Sequence, residues 1–168
     1  YIFENNNLII NSASEKFRKE IEATSEIVKA HITSYSQKGT INLFPSPYLP
    51  DDYLVNGLEI YHFNNEAKKF TLVQSAKKQN VTENVIINEG PQYSVFFNVE
   101  EKQKVLILNS QMIIKESFGT NENLFAVFYY FSPESLSKLF NKENPYYTFL
   151  VNSSGTVINS TEGLKSNF

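Results

Sequence analysis

The chain has no cysteine and no tryptophan, a single methionine and a single arginine. Without cysteine it can form no disulfide, no thiolate metal site and no sulfur nucleophile. The lone guanidinium, Arg18, falls on a surface helix by its pattern, so bidentate capture of a carboxylate or phosphate has one candidate. No Lys/Arg stripe is present either. Fifteen basic residues against 18 acidic ones leave a formal charge of −3, which argues against a nucleic-acid partner. No stretch approaches the roughly 18 consecutive apolar residues of a membrane-spanning helix. Residues 1–10 lack the basic start and apolar centre of a secretory signal. The chain therefore reads as a soluble protein or as a loop from between membrane spans.

What remains is a globular composition. The 168 residues are 41% hydrophobic, enough for one domain, expected to span residues 1–168, with a substantial core. Aromatic residues make up 14%, as 14 Phe and 10 Tyr. Core and pocket alike must then be built from flat rings, with phenol hydroxyls as the polar handles.

Residues 12–38 read as a long amphipathic helix. Ser12 and Glu15 have capping-box spacing, and Ala13, Phe17, Ile21, Thr24, Val28, His31 or Ile32, and Tyr35 recur at intervals of three and four. Gly39 is the expected stop. The proline-rich stretch that follows, with Pro45, Pro47 and Pro50, is expected to be an ordered connector without regular structure. Alternating or continuous apolar runs then predict strands over 58–63, 70–75, 93–99, 104–114 and 124–131, with the first two joined by a polar turn at Asn64, Asn65, Glu66 and Ala67. Residues 79–92 are ambiguous. In 124–131 both alternating sets are apolar, so this strand is expected to lie at the centre of the sheet, covered on both faces. Ser132, Pro133 and Glu134 open a short helix to about residue 140. A closing hairpin is expected from 146–151 and 156–160.

That order of elements is similar to the Cache family of PAS-like sensor domains. The run 123–139, an apolar strand leading into a short helix rich in Ser and Leu, resembles the family's corresponding segment. Residues 147–158 resemble its closing strand, polar glycine turn and final strand. Gly57 to Asn65 is similar to its first strand and turn, with Asn64 and Asn65 where a turn glycine is usual. The resemblance implies an α+β fold, a long N-terminal helix on a central antiparallel PAS-like sheet, with the helix over 12–38 and the sheet core over 57–160. It implies an extracytoplasmic, periplasmic or extracellular, ligand-sensing input domain of a bacterial transmembrane receptor. Membrane spans and a cytoplasmic effector would flank it outside this chain, and the N-terminal helix would mediate a homodimer. The alternatives are a ligand-free structural or dimerisation module of such a receptor, or a secreted surface-binding protein.

The family's amino-acid-binding members carry an aromatic-x-Asp element on the third strand. Its counterpart here is Phe96 and Asn98, with an amide in place of the carboxylate. The implied pocket lies on the sheet face away from the helix, with Tyr61, Tyr93, Ser110 and Tyr129 as further candidates for ring walls and hydroxyls. The expected ligand is small and neutral or weakly polar. No cofactor is implied. His31 and His62 lie on separate elements with no acidic partner at ligand spacing, so no metal site is expected, and each reads first as a packed histidine. No nucleophile elbow or converging pair of carboxyls appears, so the chain is not expected to be an enzyme.

Overall fold

The computed structural model describes residues 2–36, 54–77, 92–98, 103–115, 122–139, 149–151 and 157–160. The expected stop at Gly39, the connector up to residue 53, the ambiguous stretch from 79 to 91 and the turn at 152–155 lie outside the described residues.

Helix α1 runs over Ile2–Ser36. It starts well before the expected cap at Ser12, because no glycine or proline interrupts the chain from Ile2 onward. Glu15 faces forward to Arg18 and Lys19 in exposed ion pairs and does not reach back to a cap. The apolar stripe is as its spacing predicts: Thr24, Val28 and Ile32 are buried, and Ala13, Phe17 and Ile21 pack against the core half-buried. Thr24 turns its hydroxyl to the Glu20 carbonyl at 2.8 Å, which satisfies it within the helix. Among the described residues no helix is long and apolar enough to cross a membrane.

Strands β1 (Gly57–Asn64), β2 (Lys69–Lys77), β3 (Gln92–Asn98), β4 (Gln103–Lys115) and β5 (Glu122–Phe131) form one antiparallel sheet in the order β2-β1-β5-β4-β3. The fold is α+β, with the long helix against one face of this sheet, as expected. At the β1–β2 turn the Asn64 side chain accepts from the backbone N–H groups of Glu66 and Ala67, both at 2.9 Å. The left-handed position that a glycine would ordinarily fill belongs to Lys68, with φ 50°, and not to an asparagine. Between Ile60 and Tyr61 the register slips by one residue, leaving Val73 of β2 as a bulge.

Strand β5 is interior, flanked by β1 and β4, and its residues from Phe125 to Phe131 are all buried. Its two side-chain sets divide the core. Phe125, Val127, Tyr129 and Phe131 join Val28 and Ile32 of α1, whereas Ala126, Phe128 and Tyr130 join Val105 and Ile107 on the opposite face. Each buried Phe contributes about 1.5–3 kcal/mol, so a strand covered on both sides is the largest block of hydrophobic stabilisation in the sheet.

Helix α2 (Pro133–Ser137) opens as expected: the Ser132 hydroxyl accepts from the Ser135 N–H at 3.1 Å, and Pro133 occupies the first turn. It is shorter than expected because the chain tightens at once into three-residue turns, Lys138 N–H to the Ser135 carbonyl and Leu139 N–H to the Leu136 carbonyl. Lys16 of α1 donates to the Lys138 carbonyl at 2.9 Å, a cation on a helix C-terminus that ties the two helices together. Strands β6 (Phe149–Val151) and β7 (Val157–Ser160) pair as the expected closing hairpin, but as a two-stranded sheet of their own, with β7 beside α2 and β4.

Candidate functional site

The face of the sheet away from α1 holds the polar chemistry. Directly opposed residues of neighbouring strands share a face, and the register aligns Glu59 of β1, Phe128 of β5 and Asn109 of β4 in one row. With strands about 4.8 Å apart, the Glu59 and Asn109 backbones stand about 10 Å from each other across Phe128. Both are about 5% exposed, and among the described residues they share this face with the buried cluster of Val105, Ile107, Ala126, Phe128 and Tyr130.

Glu59 is held by two phenols. Tyr130 donates to its Oε2 at 2.5 Å and Tyr61 donates to the same atom at 3.1 Å. Burial pushes both phenols well above the ordinary tyrosine range, and the neighbouring Glu59 adds to the effect. Tyr61 also sets the edge of its ring against Phe128, with centroids 5.3 Å apart and planes at 79°. Asn109 differs from Glu59 in having no partner: its Nδ2 and its Oδ1 are both buried without a hydrogen bond. A carboxamide left in this state is costly, about 1–3 kcal/mol for each unsatisfied group. Buried polar groups are almost always paired, so Asn109 stands out.

Of the residues singled out from the sequence, Tyr61 lies on this face. Tyr129 lies on the other, where its hydroxyl and that of Ser25 on α1 stand 3.2 Å apart. Burial pushes its pKa up to about 12, against the smaller opposing effect of the Ser25 bond. Ser110, half-buried, pairs in register with Val127 of the helix face. In β3 the register sets Phe96 opposite Val105, Asn98 opposite Gln103 and Tyr93 opposite Leu108, and the side chains of these three β3 residues lie outside the description. The six candidates are thus not gathered in one place: Tyr61 and Tyr129 face opposite sides.

Sequence reasoning passed over Glu59, Tyr130 and Asn109. A signal was present for two of them. Asn109 interrupts the apolar run from Val105 to Leu108, and Glu59 sits between Leu58 and Ile60 in a strand that is otherwise buried at that end. His62 is bonded through Nε2 to Asn123 Oδ1 at 3.1 Å and packs on Phe125, which fits a packed histidine. Among the described residues no group of three or more His, Asp or Glu could hold a metal ion. Neither a family model, nor a curated protein, nor a solved structure matches the chain.

Proposed function

We propose that this chain is an extracytoplasmic sensory domain of the Cache type, a PAS-like ligand-binding input module of a bacterial membrane receptor without catalysis of its own. The observation that carries this reading is the division of labour across the sheet. A helix of 35 residues covers one face, and the opposite face buries Glu59, Tyr130 and an unpartnered Asn109 among aromatic rings, with Tyr61 half-buried beside them. A purely structural sheet gains nothing from an unsatisfied amide. A binding face gains selectivity from one.

A second reading, a ligand-free dimerisation module, draws on Leu8 and Ile10, which stand 65% and 56% exposed on α1 upstream of its contacts with the core. Two parallel copies of α1 would cover them. A thermal-shift screen of small metabolites, run beside sedimentation of the same protein, separates the two. Stabilisation by a metabolite, weakened in Asn109→Ala and Tyr61→Phe, supports the sensor. A concentration-dependent dimer abolished by Leu8→Glu, with no stabilising compound, supports the module. Protease accessibility of the complete gene product in intact cells tests the extracytoplasmic location.

A further inference from the structure

From the row Glu59–Phe128–Asn109 we infer that the far face of the sheet binds a small, planar, uncharged molecule bearing an amide edge, an N–H donor beside a carbonyl acceptor, which pairs with the carboxamide of Asn109. This names the ligand class for the binding face proposed above and rests on that reading.

The Asn109 side chain offers one acceptor and two donor hydrogens in a single plane. Its Nδ2 and Oδ1 are both unpartnered, so the ligand that satisfies it best supplies both complements at once. A cyclic or primary amide does so with two parallel hydrogen bonds, its carbonyl accepting from Nδ2 and its N–H donating to Oδ1. An alcohol or a ketone offers less to this pair, and a hydrocarbon offers neither bond.

The surroundings set the remaining requirements. Phe128 lies beside Asn109 in the same row, and Tyr61 packs edge-on to it, so the body of the ligand meets ring surfaces and should itself be flat. Ala126, the next residue of β5 on this face, carries only a methyl group and opposes Tyr61 on one side and Gln111 on the other. The phenols of Tyr61 and Tyr130 already donate to Glu59, so Asn109 is the group whose hydrogen-bonding capacity remains. The buried, largely apolar surroundings also disfavour an anion, so the amide edge must be uncharged.

The test uses the 168-residue chain and four probes: benzamide, uracil, benzoate and toluene. Binding is read by calorimetry and by the side-chain ¹⁵N–¹H₂ resonances of asparagine. Benzamide or uracil should bind and shift one asparagine side-chain pair, identified as Asn109 by its loss in Asn109→Leu. Benzoate and toluene should bind about tenfold more weakly or worse. Asn109→Leu keeps the branched heavy-atom skeleton and removes the unsatisfied atoms. It should raise the melting temperature of the ligand-free protein by about 2–4 °C while weakening the amide probes about tenfold or more. Backbone-directed assignment of the wild-type asparagine resonances identifies the Asn109 pair independently of the variant.

A loss of stability in ligand-free Asn109→Leu would mean that the amide is already satisfied, and it overturns the inference. Equal binding of toluene and benzamide, amide binding indifferent to Asn109→Leu, or no binding of either amide has the same consequence. Those failures leave the sensory reading standing, because another ligand class could still stabilise the protein in the metabolite screen. A failure of the sensory reading shows instead in the cellular location of the domain, whatever the amides do.

Discussion

The two faces of the central sheet are built from alternate residues of the same strand, yet they differ in kind. On the helix side Phe125, Val127, Tyr129 and Phe131 meet the apolar stripe of α1, and the Tyr129 hydroxyl is matched at once by Ser25. Phe17 closes on Phe131 with ring centroids 5.4 Å apart. Among the described residues no buried side-chain polar atom on that face lacks a partner. On the far side Tyr130 and Tyr61 converge on a buried Glu59, and Asn109 has none. The difference teaches that one face is finished by folding and the other retains an unmet polar demand. Selection for stability alone removes such a demand cheaply, since apolar residues of similar shape are often neutral or stabilising at buried polar positions.

The comparison is sharpest for the largest expected effect. Phe131→Ala on the helix face should lower the unfolding free energy in urea by about 3–5 kcal/mol, the usual result of emptying a filled aromatic site. A loss below about 1 kcal/mol would show that this face is loosely packed, and the contrast with the far face would collapse.

Next in size is the alkaline response. The Tyr129 phenol ionises near pH 10 in the unfolded chain and is pushed up to about 12 in the folded one. Between those values the unfolded state has released the proton and the native state still holds it. Stability is therefore unaffected by this group below about pH 10 and falls as pH rises above it, by roughly 1.4 kcal/mol per pH unit. Tyr61 and Tyr130 are raised as well and act in the same direction. Titration of the phenolate absorbance, compared between wild type and Tyr129→Phe, checks the assignment: a late-ionising tyrosine should vanish from the curve of the variant.

Tyr130→Phe should cost about 1–3 kcal/mol, because it removes a donor from a buried carboxyl. The carboxyl belongs to the far face, so Tyr130→Phe and Asn109→Leu should shift stability in opposite directions, one stripping a partner and the other removing an orphan. Changes of the same sign in equilibrium denaturation would mean that Asn109 is as well satisfied as Glu59. The smallest effect is expected for Tyr129→Phe at neutral pH, about 1 kcal/mol, the ordinary value of a hydroxyl bond between a buried and a half-buried partner. Ser25→Ala should cost a similar amount, and the double variant less than the sum.

Much of the architecture was legible locally. The spacing of Phe17, Ile21, Thr24, Val28 and Ile32 marked one face of a helix, and both sets of β5 being apolar marked an interior strand. Ser132 and Pro133 marked a helix start. The start of α1 was misread because Ser12 and Glu15 carry a capping pattern that a helix passes straight through when nothing upstream breaks it. The turn at Asn64 was read correctly as a turn, but its left-handed residue was not: Asn64 spends its side chain on two backbone N–H groups, and the positive φ falls to Lys68. Of the residues singled out from the sequence, Tyr61 lies on the far face, whereas Tyr129 and Ser110 were grouped with it although each lies with helix-face residues.

The sequence by itself determined which segments are helical and extended, and that β5 needs cover on both sides, because those properties follow from periodicities of 3.6 and 2 within a single element. Only the tertiary structure decided which alternate set of each strand meets the helix. In a β-strand a register change of one residue exchanges the faces, and that register is set by pairing with a distant strand. Glu59, Asn109 and Phe128 lie far apart in the chain and become neighbours because β5 inserts between β1 and β4. Nothing local to any of the three announces the other two, and it is their alignment in one row that brings a carboxyl, an amide and a ring together.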